Sequence, residues 1–489
     1  LELLAHHFTR AEAWEKAFHY LTRSGRKARR AFANHEAIAF YTQALEVSGR
    51  ITPPVDEAQL LPVYEGRGLV WRLLMRMDEA IADFQMMRQM ASASGNQQKE
   101  GESLFRLADA HYWKLSDKEI PIAEQYGQEA VRLAQLTGDQ RTAARYLTSL
   151  ALVDQTRGDP QKADRKLDES LQISRREGYK DTVCESLRWL GSHDYLQGEY
   201  KRGVPLLKES LGVAREINDG FGELLNLAFL SNHQVSLGNY SEALNTIREA
   251  MVKAEEWENK FVACRMPNHL GWIHSLFGDF SRAEAYDRES AELGRTYADA
   301  KGVAFGEISA LINLGADYLG LGQVERARSH LEPLIERIET RDYGAHKFIW
   351  KPRLLIVLAE VCHAMGDHEE ALRCVKEGLS VAVTSSLQKR MAEGWALRGK
   401  ILARLGRAKA AGADLQRAFA LAEQMHSPSL LYPIAFDLGR WYEAAGQERQ
   451  AAGLYGKAKA TVERMATAIG DEGLRSVFLQ WERIQAIYE

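Results

Sequence analysis

Cysteine and proline are scarce in this sequence. Of its 489 residues, 4 are cysteine and 11 are proline. Four cysteines, none of them in a C-x-x-C pair, cannot form the disulfide framework of so long a chain. This usage is typical of a reduced, cytoplasmic setting. The scarcity of proline favours a mostly helical chain, because proline interrupts helices.

The sequence also lacks an excess of charge of one sign and any long apolar run. The net charge is −4, and its apolar runs are shorter than the ~20 residues that span a bilayer. We therefore expect neither a membrane nor a nucleic-acid partner. The locally basic run 23–30 allows a phosphate-contacting patch, but a solvated helix face or packing against another domain explains it better. The chain begins with a helical pattern at Leu1, not Met, so we expect it to be a piece of a longer protein.

A repeat in four columns is the strongest pattern in the chain. Glycine recurs at spacings of 40, 40, 40, 44, 44, 40 and 40 residues. A small residue stands seven positions before each glycine, and leucine precedes that small residue in seven of eight units. Five positions after the glycine comes alanine, or once glycine. The eight glycines are Gly158, Gly198, Gly238, Gly278, Gly322, Gly366, Gly406 and Gly446.

Each column has a physical reason. A glycine after an apolar-periodic segment predicts a left-handed helix C-cap, after which a second helix begins. The small residues allow two antiparallel helices to approach closely, and the leucines supply the apolar seam between them. A lone helix pair buries only one seam, so the units must stack into a quasi-one-dimensional array.

The pattern is less regular near the N-terminus. Alanines of the same column occur there, but the segment Met75–Ala80 makes its turn without glycine. The predicted division of the chain is an N-terminal helical block (1–50), a proline-containing connector (51–62), degenerate repeats (63–140), regular repeats (141–468) and a C-terminal capping helix (469–489).

The columns resemble the tetratricopeptide repeat. That motif has Leu-Gly, then a large residue and an alanine, which are Leu314, Gly315, Tyr318 and Ala327 in one unit. The closing proline is absent, and the period is about 40 residues instead of about 34. The resemblance implies an all-α, right-handed superhelical solenoid of antiparallel helix pairs. The same types recur at Leu438, Gly439, Tyr442 and Ala451.

The two ends resemble parts of a larger protein class. Residues 4–47 are similar to the segment that follows the nucleotide-binding module in bacterial signalling ATPases of the STAND/AAA type, and residues 469–481 to the end of those proteins. Such ATPases are often fused to adenylate cyclase, protein kinase or LuxR-type domains. The resemblance implies a non-catalytic arm that binds a protein or peptide, with the upstream domains of its own chain as further partners. The alternative is a small-ligand or peptide receptor that regulates an attached output domain by changing its curvature.

No catalytic or metal motif is present. The chain has neither G-x-x-x-x-G-K-[ST] nor H-E-x-x-H, and no nucleophile–base pair favours an enzyme. His193 and His233 share a column, but a metal site needs further ligands, so packing explains them better. The group Cys362, His363 and His368 has the same interpretation. We expect no catalytic residue, cofactor or metal ion.

The inner face of the array is the expected binding surface. Family positions that point inward carry guanidinium, amide and aromatic groups, which suit an extended peptide. Ordinary solvated helix residues remain the alternative for each position. The predicted partner-binding residues are Arg188, Tyr195, Asn232, Arg265, Asn268, Trp272, Arg353, Glu360, Lys400 and Arg440.

Overall fold

The protein is built from α-helices throughout the part that the structure describes. This structure is a computed structural model that describes residues 1–114, 116–156, 159–297, 304–341 and 347–489. None of the described helices is both long enough and apolar enough to cross a membrane. The helices are α1 (Glu2–Arg10), α2 (Trp14–Arg30), α3 (Asn34–Ser48), α4 (Glu57–Leu73), α5 (Met77–Ala93), α6 (Gln97–Trp113), α7 (Ile120–Thr137), α8 (Gln140–Thr156), α9 (Pro160–Glu177), α10 (Lys180–Leu196), α11 (Tyr200–Glu216), α12 (Gly220–Leu237), α13 (Tyr240–Glu256), α14 (Lys260–Leu276), α15 (Phe280–Thr296), α16 (Ala304–Gly320), α17 (Val324–Thr340), α18 (Lys347–Ala364), α19 (His368–Thr384), α20 (Gln388–Arg404), α21 (Ala408–Gln424), α22 (Pro428–Ala444), α23 (Glu448–Ala468), α24 (Glu472–Gln480) and α25 (Glu482–Gln485).

The helices pack as antiparallel neighbours in chain order. Each helix from α1 to α23 packs against the next, and the even-numbered helices from α6 to α22 also pack against one another. The even-numbered helices therefore form the inner layer of the array. This architecture confirms the predicted all-α solenoid of stacked helix pairs.

The turns show why the glycine column exists. Seven of the eight glycines in the repeat column have φ between 72° and 84°, which is the predicted left-handed conformation, and Gly158 lies outside the described residues. Met75 takes the same conformation with φ 60°, in the turn that contains no glycine. The small-residue column also has a steric cause. A Cβ on Gly191 would lie 2.5 Å from Leu207 Cγ across the helix pair.

The segments outside the regular repeats are more helical than the sequence suggests. Helix α4 begins at Glu57, so half of the 51–62 segment is helix, with Pro62 in the early turns of α4. Asp56 caps this helix by accepting a hydrogen bond from the Gln59 backbone at 2.9 Å. The 469–489 segment contains two short helices, α24 and α25, in place of one.

Successive turns of the superhelix touch each other. Phe32 stacks on Trp257 with ring centroids 3.9 Å apart, and Asn34 Nδ2 donates to the Trp257 carbonyl at 2.9 Å. Asn259 Nδ2 donates to the Leu73 carbonyl at 2.6 Å. These contacts join segments about two hundred residues apart in sequence. The first repeats are thereby held against the α12–α14 region.

A second seam joins later parts of the chain. The Tyr200 hydroxyl lies 3.8 Å from Met425 Sδ, so the turn before α11 packs against the turn after α21. The C-terminal helices close on the same body: Phe478 packs on Phe277 at 5.3 Å, and Trp481 packs on Phe280 at 5.5 Å between ring centroids. These contacts bring distant turns of the solenoid together beside its inner surface.

The packing of α24 against the rest of the protein predicts how substitutions in this helix change the free energy of unfolding. Phe478 is 0% exposed and packs between Phe277 and Tyr432. Replacing it with alanine leaves a cavity, so we expect Phe478→Ala to lower the free energy of unfolding by about 3–5 kcal/mol in urea denaturation. The neighbouring Val477 is 37% exposed, and Val477→Ala should change it by less than about 0.5 kcal/mol. Equal effects of the two changes would show that α24 is not docked.

Candidate functional site

A cavity of about 450 Å³ lies inside the superhelix and is called the chamber here. Its size is within the range of small-ligand and peptide sites. The inner helices α14, α16, α18, α20 and α22 and the C-terminal segment all contribute walls. The polar and aromatic lining of the chamber includes Trp272, Arg353, Glu360, Lys389, Arg390, Glu393, Lys400, Tyr432, Asp437, Trp481 and Arg483.

Helical periodicity places these side chains on one face. Arg353 and Glu360 are seven residues apart on α18, which is about two helical turns. On α20, Lys389, Glu393 and Lys400 follow at spacings of four and seven. Residues at these intervals share one face of an α-helix, so both helices present a charged stripe to the chamber.

Some charges of the chamber neutralise each other. Arg390 Nη1 lies 2.5 Å from Glu393 Oε2. Lys400 Nζ lies 3.5 Å from Asp437 Oδ2. The Glu360 side chain is exposed to the chamber. The surrounding protein desolvates its carboxyl group and raises the pKa of that group. The positive charge of Lys400 partly opposes this rise in pKa.

Two cations differ from these pairs. The Arg353 guanidinium donates to the Asn313 side-chain oxygen, and Lys389 Nζ lies 4.1 Å from the centroid of the Trp272 ring. Within the described ranges, neither forms an ion pair with a carboxylate. Burial lowers the pKa of Arg353 and lowers the pKa of Lys389 to about 7. The chamber therefore holds two half-buried cations that, among the described residues, form no close ion pair.

Four of the predicted partner-binding residues meet in the chamber: Trp272, Arg353, Glu360 and Lys400. Lys400 also lines an adjoining recess of about 230 Å³ with Arg440. These five predicted residues therefore lie along one continuous stretch of the inner surface.

Three more predicted residues line a separate inner cavity. Tyr195, Asn232 and Arg265 surround about 110 Å³ together with aromatic rings that include Trp113 and Trp189. Burial lowers the pKa of Arg265 to about 10. This aromatic cavity has a mainly apolar wall and a single guanidinium.

The last two predicted residues are packed into the protein. Arg188 is 2% exposed, and its guanidinium lies 3.6 Å from Cys184 Sγ and 3.8 Å from Glu185. Asn268 is 8% exposed and donates to Asp287 Oδ1 at 2.5 Å. Close packing between neighbouring helices covers both side chains, so neither is open to a partner.

Repeat register alone could not identify the whole chamber. Lys389 and Glu393 are spaced four apart on α20, which indicates a shared face, but the repeat register predicts only Lys400 from that helix. Arg483 belongs to the C-terminal segment, outside any repeat. Its position depends on how α25 folds back, which no column of the repeat predicts.

The histidines considered as metal ligands have ordinary partners. His193 Nδ1 lies 2.8 Å from Asp164 Oδ1, and His233 lies between the carbonyls of Gly191 and Tyr200 at 2.8 and 3.2 Å. Burial lowers the pKa of His233 to about 4. These contacts support the packing interpretation.

The second histidine group has a similar arrangement. His363 and His368 approach within 3.2 Å of each other through their Nδ1 atoms. Across the described ranges, no group of three or more His, Cys, Asp or Glu side chains is arranged to hold a metal ion.

A carboxyl pair lies behind the chamber wall. Asp287 and Asp317 are buried, and Asp287 accepts hydrogen bonds from Asn268 at 2.5 Å and Asn313 at 3.4 Å. Asn313 in turn contacts Arg353 of the chamber. Burial raises the pKa of Asp317 to about 7, and burial together with the neighbouring Asp317 raises the pKa of Asp287.

This pair predicts a pH dependence of stability. Because the folded pKa of Asp317 exceeds its ordinary value of ~3.9, the folded state binds more protons than the unfolded state. Stability from this source is present at low pH and is lost as the pH rises through 7. We expect Asp317→Asn to flatten the fall in unfolding free energy between pH 5 and pH 8, measured by urea denaturation. Glu448→Gln, which neutralises an exposed carboxylate, should leave the slope unchanged; an unaltered slope in Asp317→Asn would contradict the assignment.

The family comparisons match two parts of the array. A tetratricopeptide repeat model matches residues 306–382, and a model described as anaphase-promoting complex subunit 5 matches residues 221–266. No curated protein matches.

Several solved helical-repeat structures are similar to this chain. The Cut9–Hcn1 hetero-tetramer of the APC/C has 15% identity, with 99% of this chain and 89% of that chain covered and a TM-score of 0.45. Yeast Tom70 has 12% identity, coverage of 97% and 96%, and a TM-score of 0.38. A STAND protein with a tetratricopeptide repeat sensor from Pyrococcus horikoshii has 16% identity, coverage of 74% and 55%, and a TM-score of 0.41. The match to the tetratricopeptide repeat therefore covers residues 306–382, which span most of α16 to α19 within a longer array of stacked helix pairs.

Proposed function

We propose that this chain is a protein-interaction and signal-sensing arm that binds an extended segment of its partner on the inner surface of the superhelix. The chamber carries the proposal, because it combines the Trp272 ring with two cations, Arg353 and Lys389, that form no close ion pair among the described residues. Since successive turns touch, the interior suits an extended segment better than a folded domain.

The chemistry of the inner surface suits a peptide. Arginine forks bind carboxylates and backbone carbonyls in fixed geometry, and tryptophan packs on apolar side chains. The aromatic cavity around Tyr195 and Arg265 offers a second place for a side chain of the same segment. Separate pockets for successive side chains are typical of grooves that bind an extended peptide.

The proposal extends to the protein that carries this arm. The resemblance of segments 4–47 and 469–481 to bacterial signalling ATPases supports a cytoplasmic parent with an upstream nucleotide-binding module and an attached output domain. Nucleotide binding and hydrolysis would take place in those domains. We expect the gene to encode a G-x-x-x-x-G-K-[ST] loop upstream of Leu1, and an upstream sequence without a nucleotide-binding module would contradict this parent class.

A second candidate function is a receptor for a small ligand. Its supporting observation is the enclosure of about 450 Å³ between inner helices and the C-terminal segment, which is a volume that a metabolite or a short peptide fills. In that case the ligand regulates the output domain by changing the contacts between turns of the superhelix.

Selection of peptides on the purified 489-residue chain tests the leading proposal. We expect 12-residue random peptides selected by display to bind saturably, and Trp272→Ala to weaken them at least tenfold in fluorescence anisotropy, because the aromatic wall is lost. Trp14→Ala, at a half-buried tryptophan of α2 outside the chamber, should leave binding unchanged. Peptides that bind equally to Trp272→Ala, or a selection without any saturable binder, would contradict the proposal.

A further inference from the structure

One unit of the repeat has a charged residue where the other units do not. The position nine residues after the turn glycine lies in the seam between the two helices of a pair, and seven of the eight units have an apolar or aromatic residue there. The remaining unit has Asp287, which is 0% exposed. A Cβ on Gly271 would lie 2.5 Å from Asp287 Oδ2, just as a Cβ on Gly191 would lie 2.5 Å from Leu207 Cγ. A carboxyl group therefore takes the place of a leucine inside the array. The other members of this column are Leu167, Leu207, Ile247, Leu331, Val375, Leu415 and Tyr455.

A second buried acid faces Asp287 from the next helix. Asp317 on α16 is also 0% exposed, and the other seven units have valine, isoleucine, histidine or tryptophan at its position. Asn313 and Asp317 are four residues apart, so they share one face of α16. Asn313 Nδ2 donates to Asp287 Oδ1 at 3.4 Å, which places this face against Asp287. The two carboxyl groups contact each other and are called the acid pair here.

The hydrogen bonding of the acid pair is incomplete without bound protons. Asp287 Oδ1 accepts hydrogen bonds from Asn268 and Asn313. In contrast, Asp287 Oδ2 and both oxygens of Asp317 have no hydrogen-bond donor among the described residues. Ionised carboxylates only accept hydrogen bonds, so two of them cannot satisfy each other. A proton supplies a donor and removes a buried negative charge. Burial raises the pKa of Asp317 to about 7, so a proton of the pair exchanges close to neutral pH.

The groups around the acid pair come from four helices. They are Asn268 and Ser275 on α14, Glu284 on α15, Asn313 on α16 and Arg353 on α18. The negative charge of Glu284 opposes ionisation of the pair, whereas the positive charge of Arg353 favours it. The charge of the pair is therefore coupled electrostatically to a residue of the chamber.

A single amide connects the acid pair to the chamber. The Arg353 guanidinium lines the chamber and donates to Asn313 Oδ1, while the Asn313 amide donates to Asp287 Oδ1. The fully protonated pair is neutral and attracts the guanidinium only weakly. When the pH rises and the pair becomes negative, it attracts the guanidinium more strongly and holds it at the wall, away from the open space.

We propose that Asp287 and Asp317 form a proton-binding site whose charge sets whether Arg353 is held at the wall or is available to the chamber. The array would thereby contain a pH-sensitive switch that works close to neutrality. The proton site depends only on the residues that surround it, whereas its effect on a bound segment rests on the proposed function.

Proton counting by urea denaturation tests the site. Between about pH 5 and pH 6.5, both carboxyls are protonated in the folded chain and ionised in the unfolded chain, so the free energy of unfolding falls as the pH rises. Relative to the double variant Asp287→Asn/Asp317→Asn, we expect the slope of the wild type to correspond to about two protons and that of each single variant to at most about one. Glu289→Gln, at an exposed position of α15, should keep the wild-type slope. A wild-type slope equal to that of the double variant would overturn the inference.

Infrared difference spectra of the folded chain provide a readout that does not depend on stability. Between pH 6 and pH 8, we expect the carbonyl band of a protonated carboxyl group to decrease. This decrease should be smaller in Asp317→Asn and unchanged in Glu289→Gln, because only the first variant removes an acid of the pair. Equal spectra of the wild type and Asp317→Asn would exclude proton exchange at this site.

A second pair of variants tests the link to the chamber. Arg353→Met removes the cation that favours ionisation, so we expect the infrared midpoint to move to higher pH by about half a unit or more. Lys400→Met removes the same charge from the far end of the chamber and should leave the midpoint unchanged. An unshifted midpoint in Arg353→Met, or equal shifts in the two variants, would refute the link.

Binding of display-selected peptides tests the switch itself. We expect their affinity for the wild type to fall at least threefold between pH 6 and pH 8, and to fall less in Asp317→Asn. Lys389 titrates in the same range but is present in both proteins, so the difference between them belongs to the acid pair. Equal pH dependence in the two proteins would overturn the switch. A selection without saturable binders would contradict the proposed function, while the infrared result would still decide the proton site.

Discussion

The contact between successive turns of the superhelix is the constraint on which the rest of the structure depends. A stack of helix pairs needs only its neighbours for stability and leaves an open inner face. Here Phe32 packs on Trp257, and Asn259 bonds to the Leu73 carbonyl, so distant repeats become neighbours. These contacts convert an open groove into enclosed spaces.

Enclosure explains the electrostatics of the interior. Side chains that would be fully solvated on an open groove lie instead in a chamber walled by inner helices and the C-terminal segment, where each charge is less well hydrated. Lys389 and Arg353 therefore have lowered pKa values, while Glu360 has a raised pKa. The same residues on an exposed helix face would titrate normally. Their chemistry is a property of the superhelix and not of any single repeat.

Contacts between residues that are close in the sequence are predictable from the repeat, whereas contacts between distant segments are not. The left-handed turn glycines and the small residue Gly191 depend on contacts within one helix pair, so the repeat register predicts them. The register also assigns Trp272 and Arg353 to the inner face, and both line the chamber. The register does not predict that Arg188 packs between helices while residues at equivalent positions of other repeats line a cavity. This difference depends on the curvature of the array. Arg483 reaches the chamber only because α25 folds back, a contact of long range that no local pattern encodes.

The arrangement of the chamber also limits how binding can act on the rest of the molecule. Its walls come from α14 through α22 and from the C-terminal segment, so a bound ligand contacts repeats that are joined otherwise by stacking and by the seams between turns. A ligand changes the curvature only if it binds one curvature more tightly than another. Arg353 and Lys389 lie on adjacent inner helices, and their mutual repulsion favours separation of those helices when the space is empty. An anionic group of a bound ligand would remove this repulsion and would therefore favour a closer spacing of α18 and α20. In a stack where each repeat contacts only its neighbours, a change in one spacing alters the relative position of everything on either side.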